Sequence, residues 1–66
     1  MATLLKSWQP RVEIEIGLWI SEQTSLFTVV THDLRYNTRS DYQYFRNVQE
    51  AIKEGARRAI LYHFYQ

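Results

Sequence analysis

Cysteine is absent from this chain of 66 residues, which also contains only two glycines and one proline. The lack of cysteine excludes a disulfide framework and a thiolate metal site. The two glycines, Gly17 and Gly55, stand alone and exclude a glycine-rich loop that could cradle a phosphate. The chain must therefore hold its fold by packing alone, at a length near the lower limit for a single hydrophobic core.

Long apolar runs and a large net charge are also missing. No run approaches the ~18 residues that a membrane span needs, and the first residues lack the apolar centre of a secretory signal. The formal net charge is +1, which gives no general signature of polyanion binding. We therefore predict a cytoplasmic protein without a membrane partner, built as one domain over residues 1–66 with an N-terminal arm over residues 1–10.

Apolar and aromatic residues are plentiful, at 45% and 15% of the chain. These fractions are ample for a folded core and unlike those of a disordered chain. Small domains without cysteine depend on dense aromatic packing or on oligomerisation. The composition thus predicts a folded domain that associates with itself, most simply as a homodimer.

The clearest strand pattern lies between residues 11 and 21. Apolar residues occupy every second position there, namely Val12, Ile14, Ile16, Leu18 and Ile20. This alternation predicts a strand with one apolar face. Residues 22–25 read as a short hairpin loop, residues 26–34 as a second strand, and the polar residues 36–40 as a loop. The register of the second strand stays open, because two sets of apolar residues compete for its inward face.

The stretch from Asn47 to Phe64 has the periodicity of an amphipathic helix. Asn47 is a suitable N-cap with Glu50 three residues later, and Glu54 and Arg58 form a favourable i,i+4 pair. One arc of the helix carries Val48, Ala51, Ile52, Gly55, Ala56, Ala59, Tyr62 and His63. The opposite arc, which we expect to face solvent, carries Glu50, Lys53, Glu54, Arg57 and Arg58.

Two features of this helix concern its packing partner. Small residues recur every four positions at Ala51, Gly55 and Ala59, so that either the chain's own sheet or a second copy of the helix can approach closely. Near the end of the helix, apolar residues point in several directions, and a partner chain would cover them most simply. The candidate oligomer interface consists of Ala51, Gly55, Ala59, Leu61, Tyr62 and Tyr65.

Residues 41–46 allow two interpretations. Tyr42 and Tyr44 alternate with their neighbours as in a third strand, whereas Ser40 and Gln43 would form a capping box for a longer helix. We favour the strand, because aromatic residues are good strand formers.

The predicted fold belongs to the α+β class. It is a small antiparallel sheet of two or three strands, in the order β-β-(β)-α, covered by one C-terminal amphipathic helix. The apolar face of the first strand and the apolar arc of the helix would bury each other. The predicted core consists of Val12, Ile14, Ile16, Leu18, Val48, Ile52, Gly55 and Ala59.

Residues that could perform chemistry are few and scattered. His32 on a strand and His63 near the end of the helix show no metal-binding spacing such as HxxxH. His32 and its neighbour Asp33 would point to opposite faces of a strand, so adjacency does not make them an acid–base pair. No nucleophile motif is present. We therefore predict no metal, no cofactor, no catalytic residue and a protein that is not an enzyme.

One segment interleaves cations with aromatic residues, as do surfaces that stack on nucleic-acid bases. Its members are Arg35, Arg39, Tyr42, Tyr44 and Arg46. The alternative is a loop with solvated arginines, followed by a strand whose tyrosines cover a sheet edge or a dimer contact. We favour this alternative, because Asp41 interrupts the segment and the chain has little basic excess.

The order of the elements and several residues resemble a known family. A hairpin that ends in Asp33-Leu34 is followed by a loop, a short strand and a helix that carries Val48, Glu50-Ala51-Ile52 and Ala59-Ile60. This pattern is similar to the βββα partial RNase H-like domain of HicB-type antitoxins. The resemblance implies a protein-binding domain that neutralises a small RNA-cleaving toxin and has no catalytic residues of its own.

These observations favour a non-enzymatic protein–protein interaction module over other functions. It would be a small inhibitor, an antitoxin-like protein or an adaptor, acting as a homo-oligomer on a protein partner that the sequence does not identify. A small protein that binds single-stranded DNA or RNA through the Arg/Tyr-rich segment is the second hypothesis.

Overall fold

The computed structural model describes residues 1–64. Within them the chain forms four strands and one helix: β1 (Ala2–Arg11), β2 (Ile14–Ser21), β3 (Phe27–Asp33), β4 (Thr38–Phe45) and α1 (Val48–Phe64). The strands form one antiparallel sheet in the order β1-β2-β3-β4, and α1 contacts all of them. The predicted α+β class with its C-terminal helix is confirmed, but the sheet has four strands instead of two or three.

The residues predicted as an N-terminal arm form the edge strand β1. Its pairing with β2 places Trp8 opposite Ile16. The pairing shifts by one residue between Leu4 and Lys6, and again between Trp8 and Arg11. Each shift is a β-bulge, which adds one residue to the strand and so breaks the alternation of its side chains. For this reason the sequence of β1 shows no regular period of two.

The strands β2 and β3 supply most of the core. Ile16 lies opposite Thr31 and Leu18 opposite Val29, and side chains opposite each other share a face of the sheet. We call the face packed against α1 the covered face; it carries Ile14, Ile16, Leu18, Ile20, Phe27, Val29 and Thr31. Ile16, Leu18 and Val29 are fully buried there and form a cluster with Ala51 of α1.

Three predicted core residues lie outside the core. Val12 is 86% exposed, because it lies in the turn between β1 and β2 and the strand predicted from residue 11 begins at Ile14. Val48 and Ile52 are each 37% exposed, because the buried stripe of α1 is rotated away from them towards the charged arc. That stripe consists of Ala51, Gly55, Arg58 and the half-buried Tyr62. The remaining predicted core residues are the buried Ile14, Ile16, Leu18 and Gly55 and the half-buried Ala59.

Arg58 lies between the helix and the sheet and not on the solvent side of α1, and it is only 7% exposed. Its guanidinium donates to Glu54 at 2.7 Å, to Thr31 Oγ1 at 3.2 Å and to Gln43 Oε1 at 3.3 Å. A buried charge requires such partners, because an unpaired one is costly. The covered face is therefore apolar at its centre and polar along the side of β4.

The helix begins as its sequence predicts. Asn47 Oδ1 accepts hydrogen bonds from the backbone amides of Gln49 at 2.8 Å and Glu50 at 3.3 Å, which confirms the N-cap. The i,i+4 ion pair between Glu54 and Arg58 is also confirmed.

Residues 41–46 start within β4, which confirms the strand interpretation as far as Phe45. The predicted loop at residues 36–40 is wrong in its second half, since the strand begins at Thr38. Opposite Val30, β4 carries one extra residue, and Asp41 at this bulge has a φ of 56°. Aspartate tolerates this left-handed conformation better than most residues do.

Candidate functional site

The face of the sheet turned away from α1 is not packed against any other element within residues 1–64. We call it the open face; it carries Leu4 from β1, Glu15 and Trp19 from β2, Thr28, Val30 and His32 from β3, and Arg39, Tyr42 and Tyr44 from β4. A depression of ≈ 260 Å³ on this face is lined by Ala2, Trp19, Thr28, Val30, Arg39, Tyr42 and Tyr44. This depression is the candidate functional site.

Trp19 is the largest side chain of the open face. Its indole lies over Gly17, where an added Cβ would stand 2.7 Å from the indole Nε1. Gly17 therefore has to lack a side chain for the indole to occupy this position. Leu4 reaches the same place from β1, at 3.6 Å. The side chains around the depression leave Val30 only 4% exposed, although no helix covers it.

Tyr42 and Tyr44 form the side of the depression on β4 and stay 53% and 61% exposed. They share this face because they are two positions apart in one strand, and Tyr44 pairs with Thr28 next to Trp19. Asp41 lines a groove on the helix side of the sheet, whereas Tyr42 lines the depression on the open face. The extra residue at the bulge before Tyr42 brings Arg39 onto the open face together with the two tyrosines.

A polar row crosses one end of the open face. Glu15 pairs with His32, and His32 pairs with Arg39, so that the three lie side by side on β2, β3 and β4. The His32 imidazole forms a hydrogen bond of 2.8 Å with Asn37 Oδ1. Within residues 1–64, Glu15 and Arg39 take part in no ion pair. The open face therefore combines an apolar aromatic end with an end that bears one free charge of each sign.

The structure brings together three of the five residues predicted as a nucleic-acid or partner surface. Arg39, Tyr42 and Tyr44 share the depression on the open face. Arg46 lies exposed between β4 and α1. Arg35 lies in the turn after β3 and is engaged by other groups of that turn. The sequence thus located the tyrosines of the site but not the boundaries of the surface.

The turn after β3 holds Arg35 in a local ion pair. Its guanidinium donates to Asp33 Oδ2 at 2.9 Å and lies 5.3 Å from the ring centroid of Tyr36. The hydrogen bonds from the Arg35 side chain lower the pKa of the Asp33 carboxyl. Arg35 is therefore a structural residue of the turn.

Sequence reasoning missed Trp19 and Leu4 as members of the site. A signal was present for Trp19, which stands on the polar side of the β2 alternation after Glu13, Glu15 and Gly17. A large aromatic residue on the side of a strand opposite its apolar face needs a cover other than the core. Leu4 gave no such signal, because the bulge next to it hides the period of β1.

The predicted oligomer interface on α1 is divided by the fold. Ala51 and Gly55 are buried against the chain's own sheet, and a Cβ at Gly55 would collide with the ring of Trp8. The close approach that these small residues permit is therefore used by Trp8. Ala59 and Tyr62 are half-buried and Leu61 is 38% exposed, while Tyr65 lies outside the described residues. Self-association of the chain stays a prediction.

Two further cavities lie on the helix side. A mixed groove of ≈ 380 Å³ follows Arg58 and Gln43 and includes Glu54, Arg57 and Asp41. An apolar groove of ≈ 320 Å³ lies between β1 and the end of α1, and is lined by Trp8, Gln9, Pro10, Ala59, Ile60, His63 and Phe64.

The charges of the mixed groove satisfy one another. Glu54 accepts from Arg57 at 2.8 Å and from Arg58 at 2.7 Å. The hydrogen bond from Arg57, together with that from Arg58, lowers the pKa of the Glu54 carboxyl. This network stabilises the contact between helix and sheet and leaves no free cation cluster for an anionic ligand.

Within residues 1–64, no group of three or more His, Cys, Asp or Glu side chains is placed to hold a metal ion. None of the helical segments that the structure describes is both long and apolar enough to cross a membrane. Comparison with protein-family models, with curated proteins and with solved structures gave no match for this chain.

Proposed function

We propose that this chain is a non-enzymatic interaction module that binds a protein partner through the open face of its sheet. The proposal is supported by the cluster of Trp19, Tyr42 and Tyr44 around the buried Val30, on a face that no other element of residues 1–64 covers. Aromatic side chains in such clusters are the residues that most often dominate protein interfaces.

A protein partner suits this surface better than a polynucleotide does. The lining of the depression is largely apolar, and Arg39 is its single charged residue. Glu15 lies at the same end of the open face and would repel a phosphate backbone. Apolar centres with a few charges at the rim are typical of protein interfaces.

Single-stranded RNA or DNA is the second candidate ligand. The observation in its favour is that Arg39, Tyr42 and Tyr44 share one surface with Trp19. Aromatic side chains on an open sheet can stack on unpaired bases, and an arginine beside them can contact a phosphate.

We further infer that this protein acts in the cytoplasm as a homo-oligomer, and that it is an inhibitor or an adaptor. An antitoxin-like role, with a small toxin as the partner, is the form that the HicB-like pattern of elements supports.

A photo-crosslinking experiment in cells tests the function. The photoreactive residue p-benzoyl-phenylalanine replaces Tyr44 in one variant and Tyr36 in the control. Tyr36 is more exposed than Tyr44, at 72% against 61%. It lies in the turn after β3, outside the depression. We expect ultraviolet light to give nuclease-resistant protein adducts from position 44 and few from position 36.

Other outcomes contradict this function. Equal adducts from both positions, or none from either, would exclude the open face as a protein-binding surface. Anisotropy with short RNA and ssDNA at about 50 and 200 mM salt tests the second candidate. Binding that weakens steeply with salt, and that is lost in the folded double variant Arg39→Ala with Arg46→Ala, would favour nucleic acid.

A further inference from the structure

The charges of the open face are arranged so that a second copy of the same face can neutralise them. Glu15 on β2 and Arg39 on β4 lie at the same level on either side of His32 on β3. Neither takes part in an ion pair within the described chain. A surface that carries a positive and a negative charge at equal distances from a central strand is complementary to a second copy of itself. The second copy is related to the first by a half-turn about an axis that runs parallel to the strand, above the surface.

The aromatic residues follow the same arrangement. Trp19 on β2 pairs with Thr28 on β3, which pairs with Tyr44 on β4. Trp19 and Tyr44 therefore flank β3 at one level, as Glu15 and Arg39 do at another. One rotation can thus match the aromatic pair and the charged pair together.

We propose that two copies of this chain stack through their open faces about a two-fold axis that runs parallel to β3 and above it. The inference rests on the proposed function and makes a second copy of the chain the partner of the open face, so that an inhibited toxin would contact another part of the dimer. The axis places β2 of each copy over β4 of the other, as two sheets in an aligned sandwich. Glu15 of each copy then lies opposite Arg39 of the second copy, and Trp19 lies opposite Tyr44 of the second copy.

Because Gly17 has no side chain, the two open faces can approach each other closely in the middle of the dimer. Gly17 and Val30 are opposite each other, and Tyr42 comes from the bulge next to Val30. In the dimer, Tyr42 of one copy lies over Gly17 of the other, where the Trp19 indole approaches the backbone closely. Offset stacking of a tyrosine on an indole is a favourable aromatic contact.

The edges of the sheet are poor alternatives for association. β1 has two bulges and Pro10, and β4 has a bulge with Asp41 in the left-handed conformation. Bulges, proline and charged residues on edge strands are features that hinder pairing with another strand. Association through the sheet is therefore directed to its open face.

The overlap also indicates the affinity. Three strands about 4.8 Å apart and about seven residues long cover roughly 14 by 24 Å, or about 340 Å² per copy, which lies below the size of stable interfaces and is typical of weak association. We therefore expect dissociation in the micromolar range, and sedimentation equilibrium from about 1 to 500 μM covers it. Wild-type protein should pass from a monomer of 8.0 kDa to twice that mass over this range.

Charge reversal tests the geometry of the dimer. Glu15→Arg and Arg39→Glu should each raise the dissociation constant by about tenfold, because like charges then face each other. The double variant should return to within about threefold of the wild type, because the pairs are restored with exchanged signs. Arg46→Glu, which changes an exposed arginine outside the open face by the same charge, should leave the constant unchanged.

The following results would contradict the proposed dimer. A wild type that stays monomeric throughout the range, or a dimer that ignores both reversals, contradicts this axis. Far-ultraviolet circular dichroism checks the fold, and Glu15→Gln and Arg39→Gln replace any reversal that unfolds, with smaller losses expected. Crosslinks from position 44 to a different protein, with monomeric wild type, would keep the proposed function and remove the dimer. Crosslinks to nucleic acid alone would remove both.

Discussion

The two faces of the sheet are built from the same strands but have different relations to the rest of the chain. On the covered face, Ile16, Leu18 and Val29 are at most 1% exposed, because α1 lies on them. On the open face, Tyr42 and Tyr44 remain more than half exposed, at 53% and 61%, and only neighbouring side chains protect Val30. The fold of one chain explains the first face completely and the second only in part.

The polar groups of the two faces differ in the same way. Arg58 on the helix side has Glu54, Thr31 and Gln43 as partners. Glu15 and Arg39 on the open face have no ion-pair partner in the described chain. The open face therefore has an aromatic cluster at one end and, within residues 1–64, two unpaired charges at the other, whereas the polar groups buried beside α1 are paired. Exposed apolar side chains also lie at the end of α1, at Ile60 and Phe64.

The largest difference in stability is expected when one leucine is shortened on each face. Leu18→Ala on the covered face should lower the free energy of unfolding by about 3 kcal/mol, because it leaves a cavity beside Ile16 and Val29. Leu4→Ala on the open face is the matched control, since Leu4 is 44% exposed against 1% for Leu18. Its effect should stay below about 1 kcal/mol. Urea denaturation measures both, and equal losses would contradict the assignment of the faces.

A second comparison separates the buried from the exposed arginine on α1. Arg58→Ala should cost about 2 kcal/mol, because Thr31 and Gln43 lose their donor while Glu54 keeps Arg57. Arg57→Ala should cost less than about 0.5 kcal/mol, since the Arg57 side chain is 60% exposed. The same denaturation experiment distinguishes them. A loss for Arg57→Ala as large as that for Arg58→Ala would contradict the larger contribution assigned to the buried arginine.

The smallest expected effect is a dependence of stability on pH. The pKa of Glu54 is lowered by Arg57 and Arg58 in the folded chain, so its ionisation stabilises the fold above its ordinary value of 4.5. This contribution, on the order of 1 kcal/mol, is lost as the pH falls below that value and through the folded pKa. Denaturation midpoints between pH 6 and pH 3 should therefore fall less steeply for Glu54→Gln. An unchanged slope would remove Glu54 as the group responsible.

The two elements that the sequence predicts most clearly, β2 and α1, have an unbroken period. β2 alternates regularly, and α1 has a cap at Asn47 and a clear apolar arc. β1 was missed because two bulges interrupt its alternation, and Arg58 was misplaced because the buried stripe of α1 lies at the edge of the apolar arc. Local pattern shows that a helix has an apolar side, but the packing of the sheet decides which residues are central.

The candidate site was only partly predictable for a related reason. Tyr42 and Tyr44 stood out by their spacing along one segment. Trp19 joins them only through the register of β2, β3 and β4, and Arg39 shares their face only because of the bulge at Asp41. A surface formed by several strands follows from their register, and the sequence left the register of the second predicted strand open.

The contact between Trp8 and Gly55 has a consequence for the order in which the chain folds. Each strand pairs with the strand before it, so the sheet can form from hairpins that are local in sequence. Trp8, in contrast, is among the first residues to be synthesised, and its ring fits over a glycine near the other end of the chain. Its docking closes a loop that spans most of the protein, which is the slowest kind of contact to form. The rate at which Trp8, and not Trp19, reaches its native environment therefore reports the last step of folding, after the hairpins have formed.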